Sequence, residues 1–354
     1  MHSRTSSIAS RYPGKRPMAQ NPSSSQNPQY TMKMRVRYGL EAAVFFALMG
    51  VFRAMGVDLA SATGGFLGRT IFYRTGLTRR ARANLITAYP EKSSYDIEAI
   101  LKEMWDNLGR TIAEYAHLDK FSSRGKSPRV EIANIDVGYR VLAEGKGILF
   151  VSGHFANWEV MPVVPHEHGV EGGVVYRPVN NPYVDRWIVK QRMRNGPKEQ
   201  ITKGAQGTKR IFTLLRAGKA IFMLVDQKTN EGLPVRFFGR PAMTTPAPAA
   251  LALKLDAMIV PISIERLNGA RFRMTVHDPI AFTPTGDHDR DVLALTTRMN
   301  QAIEEYVRYR PSQWLWIHRR WPKEGDRPRK QRGLEAQALA GSGVRVDSDG
   351  SSFI

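Results

Sequence analysis

The chain of 354 residues contains no cysteine. That absence removes disulfides, thiolate nucleophiles and cysteine-ligated metals together, and it permits a reducing compartment. Acidic residues are scarce as well: 32 Asp and Glu stand against 52 Lys and Arg, a formal net charge of +20. Such an excess implies an anionic partner, whether a phospholipid surface, a phosphorylated substrate, an acidic carrier protein or nucleic acid. The first 31 residues have no acidic residue and no apolar period, and they are rich in Ser, Pro, Asn and Gln. They read as a disordered basic tail (1–31) and not as a secretory signal, which needs an apolar core soon after its start. Long hydrophobic runs are also missing. Ala42 to Phe52 is an uncharged stretch of only 11 residues, whereas a bilayer span takes about 20.

At 42% hydrophobic residues the chain has material for one large domain or two smaller ones. Lys33, Arg35 and Arg37 precede the uncharged stretch, and Glu41 and Arg53 bracket it. With those two near the interfaces or snorkelling, 38–62 crosses a bilayer or lies in its surface, giving an anchor helix over 32–62. The rival reading is a buried or amphipathic helix of a soluble domain. If the segment spans, the basic residues before it favour a cytoplasmic N-terminus. Beyond it, Ile97, Leu101, Met104, Leu108, Ile112 and Tyr115 form one helical stripe. Strand-like runs at 130–133, 145–151, 173–177, 220–225, 257–264 and 272–276 then alternate with helical patterns near 182–195, 206–217, 245–255 and 289–309. That alternation predicts an α/β fold with a central, mostly parallel sheet flanked by helices. Residues 323–354 are charged, Gly/Ser-containing and aperiodic, and read as a second disordered tail.

In open α/β sheets functional groups gather where strands end. The first such end, Gly147 to Glu159, presents His154 and then Glu159, a candidate acid/base pair. On one ideal helix the two would point roughly 140° apart. His154 is therefore expected in the turn, with Asn157 near the start of a helix that carries Glu159 back towards the ring. The second end supplies Tyr176-Arg177-Pro178 and the third Asp226-Gln227-Lys228. Each has a plainer reading: an ordinary loop histidine, a first-turn glutamate, a solvated arginine, a loop-bracing aspartate. Arg186, Lys190, Arg192, Arg194, Lys198, Lys203, Lys209 and Arg210 face only Glu199 in their stretch and would form a positive rim suited to phosphates or an acidic carrier. Near the C-terminus Trp314, Trp316 and Trp321 stand beside His318, Arg319 and Arg320. They form either an interfacial belt or a packed turn with its arginines in solvent, where Arg319 or Arg320 would reach substrate phosphates. Phe155, Trp158, Phe237 and Phe238 are tunnel-wall candidates and equally core candidates. Pro165-His-Glu-His lacks the one-turn spacing of a helical metal pair, so no metal is expected. The cations lack the context of a nucleic-acid-binding motif, so no nucleic acid is expected.

Four blocks carry a family resemblance: GHFANWE (153–159), YRPVNNP (176–182), DQK (226–228) followed by PVRFFGRPAMTTPAPAALALK (234–254), and QWLWIHRRWP (313–322). In order and spacing they resemble the lipid A biosynthesis acyltransferases, the lauroyl and myristoyl transferases of bacterial lipopolysaccharide synthesis, from about Tyr38 to Pro322. The resemblance implies a glycerolipid-acyltransferase-like domain (63–322) behind a membrane anchor, at the cytoplasmic face of the bacterial inner membrane. It implies His154 as base and Glu159 as its paired acid, and it matches Arg177 and Asp226 to the family's arginine and aspartate blocks. The family's second acid after the aspartate is replaced here by Lys228. The implied reaction moves a fatty acyl chain from an acyl carrier protein or coenzyme A thioester to a hydroxyl of a lipid A precursor, without a cofactor. An imidazole near its own pKa removes the hydroxyl proton, Glu159 orients the ring, and Arg177 or amides near Gly153 serve the oxyanion. Asn157, Asp226, Arg319 and Arg320 complete the candidate substrate-binding or oxyanion set. The alternatives are the same chemistry on a lysophospholipid or aminolipid, or a basic membrane- or nucleic-acid-binding protein without catalysis.

Overall fold

The computed structural model describes residues 30–321. The tails read at 1–31 and 323–354 lie outside the described residues, apart from Tyr30 and Thr31. Four helices come first: α1 (Met32–Met55), α2 (Val57–Thr70), α3 (Gly76–Ala88) and α4 (Ser94–Glu114). The anchor helix read over 32–62 is thus two helices. It breaks at Gly56, whose φ of +73° suits glycine far better than a residue with a side chain. From there α2 packs against α4 at a crossing where backbones nearly touch. A Cβ on Gly109 would sit 2.1 Å from the Gly64 carbonyl oxygen, so only glycine permits that approach. The start of α4 is a capping box, in which Ser93 and Asp96 satisfy each other's backbone amides. Ile97, Leu101 and Met104 of its predicted stripe are buried in the main core.

The alternating part follows: β1 (Val130–Ala133), α5 (Ile135–Ala143), β2 (Ile148–Ser152), α6 (Val163–Glu167), β3 (Gly172–Tyr176), α7 (Pro182–Asn195) and β4 (Glu199–Thr202). Next come α8 (Ala205–Arg216), β5 (Ala220–Leu224), β6 (Leu233–Phe237), β7 (Arg240–Thr244), α9 (Ala247–Leu255), β8 (Met258–Asn268), β9 (Arg271–Val276) and α10 (His288–Tyr309). Seven strands form one sheet in the order β1-β9-β8-β2-β5-β3-β4. The run from β8 through β4 is parallel, while β9 pairs antiparallel to β8 and carries β1 with it. The sheet is mixed and mostly parallel, as expected. Its centre is β2, in which all five residues are buried. A strand covered on both faces has no polar side to show, which is why it reads as a continuous apolar run. Strands β6 and β7 form a separate hairpin turning at Phe238 and Gly239, both with positive φ.

Candidate active site

Strands β2 and β5 are parallel neighbours with Ser152 opposite Leu224. Two residues beyond each stand His154 and Asp226, so pairing alone carries an imidazole and a carboxylate to the same end of the sheet. There Nδ1 of His154 lies 2.8 Å from Oδ1 of Asp226. The other carboxylate oxygen accepts from the His154 backbone amide and from the Trp314 indole, each at 2.8 Å. Burial pushes the Asp226 carboxyl up, but the charge and hydrogen bonds of His154, with the Trp314 bond, outweigh it and hold the group well below the usual carboxylate range. An ionised carboxylate only accepts, so Nδ1 carries the hydrogen and Nε2 presents its lone pair on the cavity side, where the Gln227 amide nitrogen lies 3.2 Å away. Gly153 makes room for this: a Cβ there would lie 3.1 Å from Oδ2 of Asp226 and 2.8 Å from the Phe155 ring.

The loop after His154 departs from expectation. Residues 154–162 form turns, and helix does not begin until Val163. Ala156 takes a φ of +42°. Its carbonyl accepts from Asn107 and Thr111 of α4 at 3.1 and 2.9 Å, and its amide donates to the Gln313 carbonyl at 2.8 Å. This pinning turns Glu159 away from His154. Glu159 instead receives both forks of Arg192 on α7 at 2.6 Å, and the Trp158 indole at 3.0 Å. The expected His154–Glu159 pairing is therefore corrected: the imidazole's carboxylate partner is Asp226, and Glu159 belongs to a buried ion pair. Burial raises the Glu159 carboxyl, but Arg192, with hydrogen bonds from Tyr115 and the Trp158 indole, outweighs it and holds the group below its ordinary value. The link to His154 that survives is indirect, through Trp158, whose ring meets the imidazole edge-on at 5.0 Å.

Both carboxyls bind fewer protons folded than unfolded. Their contribution to stability is thus present at neutral pH and lost as the pH falls below about 4.5, the ordinary Glu value. Thermal melts between neutral and acid pH should show Tm falling in that window, after an earlier decline through about pH 6.5 from the buried histidines His277 and His318, whose values are also lowered.

The other expected site residues scatter. Asn157 is fully buried and donates to Glu114 at 2.9 Å, within a network that includes the buried Glu114–Arg266 ion pair; it positions the loop and does not face the cavity. Arg177 lines the cavity from an exposed position. Arg319 is exposed and outside the cavity lining. Arg320, expected near substrate phosphates, is 1% exposed. Its guanidinium donates to the Met243 carbonyl, Thr244 and Asn300 at 3.2, 2.8 and 2.6 Å, and lies over the Phe237 ring. Burial pushes it down to about 10. It ties the C-terminal turn to the β6–β7 hairpin. Arg320→Lys should therefore cost about 1–3 kcal/mol in denaturant titrations without changing KM, because an ammonium cannot reproduce the fork.

A cavity of about 650 Å³ opens from the imidazole. Its polar lining includes His154, Arg177, Arg192, Lys203, Gln227 and His318. Phe150 and Phe222, opposite each other in register and stacked at 5.0 Å, extend the lining along the sheet face with Val174, Ile211 and Ile262. Volume and mixture suit a site for an amphiphile. His318, to which the sequence assigns no site role, also lines the cavity. Its Nε2 lies 3.2 Å from the Gln227 amide nitrogen, which is also 3.2 Å from Nε2 of His154. Burial pushes His318 down, and the charge of His154, when that ring is protonated, adds to the effect. The C-terminal Trp block returns to the site through Trp314, but nothing in its spacing announces this.

These features define a class: an α/β protein with a histidine–carboxylate pair at the carboxyl ends of adjacent parallel strands, beside a largely apolar cavity. The chain belongs to the bacterial lipid A biosynthesis acyltransferase family, whose profile matches residues 29–323. It is 25% identical over 295 residues to a lipid A biosynthesis acyltransferase of Haemophilus influenzae, covering 82% of this chain and 87% of that one. It is 25% identical to the lipid A biosynthesis myristoyltransferase of Escherichia coli (strain K12), covering 68% and 73% of the two chains. The lauroyltransferase of the same organism is 24% identical, with 69% and 80% covered. The protein is an acyltransferase of this family.

Proposed function

We propose that the protein transfers a fatty acyl chain from an acyl carrier protein or coenzyme A thioester to a hydroxyl of a lipid A precursor, with His154 as base and Asp226 as the group that orients it. The reaction belongs at the cytoplasmic face of the bacterial inner membrane. The observation that carries the reading is the 2.8 Å contact between Nδ1 of His154 and a fully hydrogen-bonded Asp226, beside a cavity whose apolar lining suits an acyl chain. A hydroxyl is a poor nucleophile at neutral pH, and the lone pair of Nε2, with the substrate hydroxyl in place of the Gln227 amide beside it, takes its proton as it attacks the thioester carbonyl. The C–S bond then breaks, and the imidazolium gives its proton to the departing sulfur, which leaves as the thiol. Asp226 stabilises that imidazolium without itself being protonated. Arg177 and Lys203 on the cavity lining suit the phosphates of donor or acceptor. The acceptor is tested by incubating purified full-length protein and His154→Ala with acyl carrier protein and coenzyme A thioesters and, in separate reactions, a Kdo-bearing lipid A precursor or a lysophospholipid. His154-dependent acylation of the precursor is expected; acylation of lysophospholipid but not of the precursor would reassign the acceptor.

A further inference from the structure

Among the described residues, α1 is the one helix long and apolar enough to cross a membrane. Its contacts argue against crossing. Tyr38, Ala42, Phe45, Met49 and Phe52 recur at steps of three and four, a single stripe. Of these Ala42, Met49 and Phe52 are buried, and the Phe45 ring meets Trp187 of α7 at 5.3 Å. About half a turn away, Leu40, Val44 and Val51 are 66%, 70% and 56% exposed. Charged groups flank the packed stripe and hold the helix to the domain at both ends. Near its start, Asn181 donates to the Tyr38 carbonyl at 2.9 Å and to Glu41 at 3.2 Å. Near its end, Arg53 donates to the Ala116 carbonyl at 2.9 Å and to Asp119 at 2.6 Å, and the His117 ring donates to the Phe52 carbonyl at 2.8 Å.

Glu41 and Arg53 are about 18 Å apart along the axis, and both bind the same domain. If α1 crossed a bilayer with its apolar stretch centred, Glu41 and Asn181 would sit roughly 9 Å from the centre, inside the hydrocarbon, and Asp119 would be drawn to a similar depth on the far side. Charged and hydrogen-bonding groups at that depth are strongly disfavoured. A helix lying flat avoids this, because its packed stripe stays on the domain and only the opposite face enters lipid. We propose that α1 lies in the plane of the membrane surface, its Leu40–Val44–Val51 face sunk into an anionic phospholipid leaflet. Lys33 and Arg35 in its first turn, with no acidic residue there, match anionic headgroups, whereas Arg37 is paired with Glu41 at 2.7 Å. The consequence concerns the site: Arg177, Pro178, Val179 and Asn180 line the cavity immediately before the Asn181 that grips α1. A flat α1 holds that rim at headgroup depth, where a lipid substrate enters without leaving the leaflet; this last step rests on the function proposed above, whereas the orientation does not.

The test exploits the absence of native cysteine. Full-length Val36→Cys, Val44→Cys and Val51→Cys, each bearing a nitroxide, are reconstituted in vesicles of phosphatidylethanolamine and phosphatidylglycerol, and depth is read from oxygen against nickel-chelate accessibility. All three side chains are exposed, so the labels leave packing intact. Shallow, similar depths at the three positions are expected. Val44 and Val51 both lying deeper than Val36 by roughly 10 Å, the profile of a span centred on the apolar stretch 42–52, would overturn the proposal. So would labels fully accessible to the aqueous chelate, or dipolar broadening showing a second copy on this face. None of these readouts depends on catalysis, so failure here is separable from failure of the reaction assigned above.

Discussion

Asp226→Asn should lower the single-turnover rate of acyl transfer by about 10³–10⁴-fold while leaving the chain folded. Three donors converge on this carboxylate: the His154 amide, the His154 ring and the Trp314 indole. An asparagine offers one accepting oxygen and an NH₂ group in their place. The oxygen retains the amide and indole bonds, and the NH₂ then confronts Nδ1 of His154. The ring must present a lone pair there, which moves its hydrogen to Nε2 and removes the base from the cavity. Lost stabilisation of the imidazolium adds to the effect. Near-native rates in the folded variant would show that His154 does not depend on Asp226.

Glu159 makes the contrasting case. Glu159→Gln leaves Arg192 buried without its counter-charge, and a broken buried pair costs about 3–5 kcal/mol. The single variant is expected to lose activity because it unfolds more readily, with Tm falling in step. Replacing both partners by apolar residues of similar volume, Glu159→Leu with Arg192→Met, removes the stranded charge. Stability should then return close to the parent value, and transfer should recover to within about tenfold. A double variant that is stable yet inactive would mean that Glu159 acts on the reaction directly.

The alternation of apolar runs with helical patterns made the α/β sheet legible, because central parallel strands such as β2 are apolar throughout. The rule that function gathers at strand ends located both His154 and Asp226. What the chain could not reveal was that β2 and β5 are neighbours, since strand order depends on long-range packing and not on local pattern. Without it, the nearest carboxylate in sequence, Glu159, looked like the partner. The loop geometry was equally hidden: Ala156 adopts a positive φ only because Asn107, Thr111 and Gln313 hold it there. Arg320 misled for a related reason. Arginines at a chain's polar end read as solvated, and its burial depends on Thr244 and Asn300, which are far away in sequence. His318 reaches the cavity through contacts that are equally distant in sequence, with Asn84 on its carbonyl and Gln227 on its ring.

The histidine–aspartate assignment is tested most directly by comparing single-turnover acyl transfer of Asp226→Asn with that of the Glu159→Leu/Arg192→Met double variant, both full-length and verified as folded, at saturating donor and acceptor. Asp226→Asn slower than the double variant by at least about 10²-fold follows from the rates expected above. The reverse order, with Asp226→Asn near the parent rate and the double variant inactive, would return the role of orienting acid to Glu159.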